Sequence, residues 1–148
     1  MVIIRRSRVI DPDVICAHLT VWHSGRAGSL VAEGHAEVAS GLRGNLRQNQ
    51  RIIVFNGNWG AAELCAVLGG EVKEKGVLIA ETGGMPILSD SDKTGVCRLK
   101  KIKQQMNFAA VPACETKALI AELRDVLPFL SAAGSVLETS INNSNPIL

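Results

Sequence analysis

The strongest constraint on this fold lies in the middle of the chain, where the run RIIVF begins at Arg51. A short, unbroken run of apolar and β-branched residues forms a strand covered on both faces, and such strands belong to parallel sheets. RIIVF leads directly into Asn56-Gly57-Asn58-Trp59-Gly60 and then into a helical pattern. Ala61, Leu64, Cys65 and Leu68 share one face of that helix, and Gly69-Gly70 is its stop signal. A second apolar run at residues 77–80 closes a β-α-β unit, whose crossover is expected to be right-handed and to leave both strands parallel in one sheet.

The flanks extend this unit. Upstream, Ala36, Val38, Ala39, Leu42 and Leu46 predict a helix over residues 35–47, with Gly41 and Gly44 weakening its regularity. Downstream, residues 95–102 and 106–111 read as two strands joined by a polar turn at 103–105, an antiparallel hairpin appended to the sheet. After Pro112, Leu119, Ile120, Leu123, Val126, Leu127 and Leu130 mark one helical face with Pro128 near its end, and residues 136–139 read as a last short strand. Near the start, residues 14–21 suit a strand, while WHSGRAGSL has the composition of a loop. The expected fold class is α/β, a mostly parallel sheet with an appended antiparallel hairpin.

With 148 residues and 47% hydrophobic content, the chain can bury one sizeable core. Its net charge of +2 comes from 16 basic and 14 acidic residues spread along its length, so neither nucleic acid nor a membrane surface is expected as a partner. The one dense basic run, CRLKKIK at residues 97–103, reads as an exposed strand with a solvated face. Cys16, Cys65, Cys97 and Cys114 form no CxxC pair and are flanked by apolar residues, which suits buried thiols in a reducing compartment and hence the cytoplasm. No stretch approaches the roughly 18 uncharged apolar residues of a membrane-spanning helix, and the opening MVIIRRSRVIDPD places its apolar run before its charges, the reverse of a secretory signal. His18, His23 and His35 make no HxxxH or HExxH arrangement, so no metal is expected. GxSxG is absent, and no cysteine has a recognisable histidine partner.

In an open α/β sheet, ligands bind outside the carboxyl ends of the strands, and three loops have that address. In NGNWG, Gly57 and Gly60 let backbone approach a ligand, and the helix that follows offers N–H groups to an anion or carboxamide, with Asn58 as its N-cap; equally, these residues serve only a tight, capped turn. The second loop, Glu81-Thr82-Gly83-Gly84-Met85-Pro86, sets a carboxylate and a hydroxyl where they can orient a polar substrate, or else a solvated Glu before a glycine turn. The third, Asn142-Asn143-Ser144-Asn145-Pro146, is either an amide-rich site or an ordinary polar turn. The GxGxxG fingerprint is found nowhere in the chain, since neither Gly25-Arg26-Ala27-Gly28 nor Gly57-Asn58-Trp59-Gly60 has its spacing.

Taken in order, AEGHAEVASGL (residues 32–42), QRIIVFNGNWGAAEL (50–64), VLIAETGGMP (77–86), MNFAAVPA (106–113) and VLETSINNSNPIL (136–148) resemble the successive blocks of the NAD/NADP octopine/nopaline, or opine, dehydrogenases. The resemblance implies a partial Rossmann-like domain: residues 32–148 as the later part of a dinucleotide-binding domain, residues 1–31 as an atypical segment, and the family's helical catalytic domain lying beyond. It implies NAD or NADP as cofactor and reduction of the imine formed by a 2-oxo acid and an amine or amino acid. Asn56, Gly57, Asn58 and Gly60 are thereby assigned to the cofactor, Glu81 and Thr82 to the small-molecule substrate, and Asn145 to the active site at the start of the family's NPxxH motif.

Two departures accompany the resemblance. The first 31 residues match no family block, and the histidine of NPxxH would follow Leu148. The 148 residues are therefore expected to be an enzyme fragment, inactive alone, that pairs as a homo-oligomer or through exposed apolar surface. Two other readings stay open: a small α/β ligand-binding module or pseudo-enzyme subunit without catalysis, and a relative of the 2-hydroxy acid or glycerol-phosphate dehydrogenases.

Overall fold

The computed structural model describes residues 14–17, 22–23, 26–27, 34–93 and 96–143. In chain order these form β1 (Val14–Ala17), β2 (Trp22–His23), β3 (Arg26–Ala27), α1 (Gly34–Leu42), β4 (Arg51–Val54), α2 (Gly60–Leu68), α3 (Gly70–Glu74), β5 (Leu78–Thr82), β6 (Ile87–Lys93), β7 (Val96–Ile102), β8 (Met106–Val111), a 3-10 turn (Ala113–Glu115), α4 (Thr116–Leu123), β9 (Leu130–Ala132) and α5 (Val136–Ile141).

Five strands make one mixed sheet in the order β1-β4-β5-β8-β9. β1 with β4, β4 with β5 and β8 with β9 are parallel, and β5 with β8 is antiparallel. The apolar runs are consistent with this placement. Ile52 and Val54 point to one face, where they join Ile79, Leu64, Leu68 and Ala39 under α1 and α2. Ile53 points to the other, joining Ala80, Phe108, Ala110, Leu119 and Leu123 under α4. Strands buried on both sides explain why neither run alternates with polar residues. Phe108, Ile52, Ile53, Leu64 and Ile79 are among the largest fully buried side chains, each contributing about 1.5–3 kcal/mol of burial.

The expected parallel β-α-β unit is present, with α3 continuing beyond the Gly69 stop and β5 reaching two residues past the apolar run to include Glu81 and Thr82. The helix expected over 35–47 ends at Leu42, where left-handed Gly44 follows in the turn. An antiparallel hairpin is appended to the fold, but it pairs β6 with β7. Residues 106–111 instead run in the main sheet between β5 and β9, because MNFAAV buries Met106, Phe108, Ala109 and Ala110 and so needs cover on both faces. Arg98, Lys100, Lys101 and Ile102 of β7 are exposed, as the solvated basic face requires.

Three further expectations are corrected. The helix after Pro112 stops at Leu123, and Leu130 belongs to β9, since the chain must turn before Pro128. Residues 136–141 are a helix rather than a strand. Ser135 caps it by accepting from the Glu138 N–H at 3.4 Å, while Glu138 Oε2 accepts from Gly134 N–H at 2.7 Å. Of the cysteines, Cys114 is exposed and Cys65 is half-buried, its thiol pushed above its ordinary pKa by burial; the side chains of Cys16 and Cys97 lie outside the described residues.

Candidate functional site

At the carboxyl ends of β4 and β5 the backbone departs from ordinary geometry. Asn56, Asn58 and Trp59 adopt φ of 57°, 41° and 71°, in the left-handed region where side chains are disfavoured. For Trp59 this costs about 1 kcal/mol or more, while an asparagine tolerates it better. Gly57 serves a different need. A Cβ at this position would stand 2.5 Å from Cδ and Oε2 of Glu81, so a side chain would collide with the carboxylate packed against the loop. Gly60 is tight in the same way, its Cβ position 2.9 Å from Val54 Cγ1 and 3.0 Å from the His35 ring. What these glycines admit in this structure is protein.

Glu81 is wholly buried and accepts hydrogen bonds from two directions. Ala61 N–H donates to its Oε2 at 3.0 Å, and the hydroxyls of Thr139 and Ser140 approach its Oε1 at 2.7 and 2.5 Å. A carboxylate buried among donors from a helix N-terminus and two hydroxyls is compensated by charge-assisted bonds and by the helix dipole. This arrangement corrects three expectations. Asn58 is not the N-cap of α2: that position belongs to left-handed Trp59, whose side chain makes no cap, and Glu81 supplies the missing acceptor from the next strand. Nor are the first two N–H groups of α2 open to an anion, because Ala61 N–H is held by Glu81 and Gly60 N–H by Gly57 O. Glu81 is likewise not a solvated residue before a glycine turn.

Thr82 is also wholly buried. Its hydroxyl donates to Gly84 O at 2.7 Å and accepts from Asn56 N–H at 3.0 Å, and its carbonyl accepts from Gly57 N–H. Strand β5 therefore fixes the first two residues of NGNWG. The next two are met by α5 and the residues just past it: Trp59 N–H donates to Ser140 Oγ at 3.0 Å, and Asn143 Nδ2 donates to Asn58 Oδ1 at 2.5 Å and to Asn56 Oδ1 at 3.0 Å. The loop, the Glu81 loop and the amide-rich stretch thus converge, with half-buried Asn56 and Asn58 at the centre and Trp59 49% exposed at the rim. Asn145 lies outside the described residues.

His35, buried at the start of α1, closes the back of the loop. Its Nδ1 lies 3.4 Å from Glu63 Oε2 without hydrogen-bond geometry. Sequence reasoning missed Thr139 and Ser140, and it included Asn143 without assigning it a partner. The signal that could have found them is Ser135-x-x-Glu138, a capping-box spacing that announces a helix and so places Thr139, Ser140 and Asn143 within a turn of one another.

No family model matches the chain. It is 31% identical over 118 residues to an opine dehydrogenase of Arthrobacter sp. (strain 1C), a match covering 77% of this chain and 32% of that protein. Solved structures of octopine dehydrogenase share the fold. The complex with NADH and pyruvate gives a TM-score of 0.58 at 14% identity, covering 87% of this chain and 31% of the other; the complex with NADH and L-arginine gives 0.57 at 13%, covering 86% and 30%. The chain spans about a third of the length of the relatives it matches.

Proposed function

Because the chain is a homologue of the opine dehydrogenases, we propose that its described residues form the nicotinamide-facing part of a dinucleotide domain serving imine reduction. The observation that carries this reading is the convergence of NGNWG, Glu81-Thr82 and Asn143 at the carboxyl ends of parallel strands, the place where α/β sheets receive nucleotides. NAD(H) or NADP(H) would supply a hydride. That hydride and a proton convert the C=N bond of an imine, formed from a 2-oxo acid and an amine or amino acid, into a secondary amine.

This chain's residues would bind and orient. Asn56 and Asn58 present their amides at the cofactor, while Gly57 and Gly60 let their loop pack closely on Glu81, Val54 and His35. Glu81 and Thr82, fully engaged with protein, hold the substrate-side loop in shape rather than exposing charge to it. Asn145 would join the active site two residues beyond Asn143. The unbonded Cys65 and Cys114 suit a cytoplasmic setting, and no helix among the described residues is long and apolar enough to cross a membrane. Pairing with a second chain, the same or different, would use the exposed Leu137 and Ile141.

Two measurements test the reading. NADH fluorescence should show saturable binding that Asn58→Asp weakens and Lys100→Ala does not; no saturation by about 1 mM NADH, an affinity worth only about 4 kcal/mol, contradicts it. Mixed with NADH, a 2-oxo acid and an amino acid, these 148 residues should show no steady NADH oxidation, as they contain no GxGxxG turn to hold the pyrophosphate. Sustained oxidation would overturn that part.

A further inference from the structure

We propose that α5 and the Asn58-Trp59 tip of the loop order together as one unit, with Ser140 and Asn143 as the positioning residues that set the loop's shape. The ligand assigned to that loop rests on the reading above, but the coupling does not.

Each half is poorly supported by itself. Helix α5 has six residues, too few to be stable from propensity alone. Its outer side chains Leu137 and Ile141 are 51% and 71% exposed, its inward residues Thr139 and Ser140 are polar, and Val136 gives it partial contact with the apolar core. Polar contacts to Glu81 and to the loop therefore hold it in place. The loop tip is equally dependent. Asn56 and Gly57 are anchored on β5 through Thr82, whereas Asn58 and Trp59, both left-handed and neither a glycine, are reached by Ser140 Oγ of α5 and by Nδ2 of Asn143 two residues beyond it, which also meets Asn56 Oδ1. Strained backbone persists where its surroundings over-determine it, and here the surroundings are a short helix that itself relies on the strained segment. If α5 lifts away, Asn58 and Trp59 lose those partners. If the loop relaxes, α5 loses two of its polar attachments. Seating α5 thus sets the shape of the ligand loop, and a pull or push on Leu137 and Ile141 is transmitted to it.

Amide hydrogen exchange of the intact chain without NADH tests this, so a failure to bind NADH leaves the outcome unaffected. Asn142 N–H, bonded to Glu138 O inside α5, and Trp59 N–H, bonded to Ser140 Oγ, should open together with the same denaturant dependence. Ser135→Ala removes the α5 cap and touches nothing in the loop, yet it should quicken both amides by a similar factor, about fivefold to tenfold, with β4 and β5 unmoved. Asn143→Ala should give the same joint response even if Ser135→Ala disturbs the whole fold. Faster exchange at Asn142 with Trp59 unchanged, or the reverse, overturns the proposal.

Discussion

At their amino ends β4 and β5 are closed largely by groups near the surface, with the neutral amide of Gln50 buried beside them and accepting from Arg47 N–H at 3.0 Å. Arg51 pairs with Glu122 at 3.2 Å, Lys75 Nζ reaches Leu46 O at 2.7 Å, and the left-handed Asn49 and Gly76 lie in exposed turns. At their carboxyl ends the same two strands bury a carboxylate and a hydroxyl, Glu81 and Thr82, and place three left-handed non-glycine residues within the next turn. Both ends of β4 join it to helices, so connection alone does not require the second arrangement. The difference shows where this fold tolerates expense. Buried polar networks and strained backbone accumulate where α/β sheets take ligands, and water-exposed closure suffices elsewhere.

If that contrast is sound, substitutions at the carboxyl ends should cost far more than comparable ones at the amino ends. Glu81→Ala should be the most damaging, by about 3 kcal/mol or more, because it orphans Ala61 N–H, takes their shared acceptor from the Thr139 and Ser140 hydroxyls and opens a void; urea unfolding reads it. Gly57→Ala should cost about 2 kcal/mol, as its methyl group cannot share space with the Glu81 carboxyl, and Glu81→Ala should lessen that cost in a double-mutant cycle. Arg51→Ala, breaking an ion pair whose Glu122 is well exposed, should cost less than about 1 kcal/mol. A loss at Arg51 equal to that at Glu81 would erase the distinction between the two ends.

The smallest effect should come from pH at the amino end. Glu71 accepts from Gly44 N–H and from Lys75 Nζ, and these bonds hold its carboxyl below the usual range. A carboxyl with a lowered folded pKa adds stability above its unfolded value and loses it as pH falls through the folded one. Glu71→Gln should therefore lower stability slightly at neutral pH and leave it nearly unchanged at acid pH below the folded pKa, so that the acid limb of the stability curve flattens.

What the sequence made legible follows from the same contrast. RIIVF, Ala61-Leu64-Leu68 and the 77–80 run report burial, and burial has a period that survives in one dimension. The polar turn at 103–105 suggests a hairpin of residues 95–102 with 106–111, but β8 pairs with β5 across some thirty positions, and local turn composition carries no information about that. Helix α5 read as a strand because Val136, Leu137 and Thr139 favour one, although the Ser135–Glu138 spacing argued otherwise. At the site, the loops were visible as glycine- and amide-rich segments. Their partners were not: that Glu81 would cap α2 in place of Asn58, or that Ser140 would receive Trp59 N–H, depends on contacts between elements far apart in the chain.

The claim that the carboxyl-end loops receive a nicotinamide cofactor is tested most directly by an amide-resolved NMR titration of the chain with NADH. Shifts concentrated at Asn56, Gly57, Asn58, Gly60 and Asn143, with Arg51, Lys75 and Gly76 unmoved, are the expected result. Shifts centred on the amino ends, or none at millimolar NADH, would contradict it.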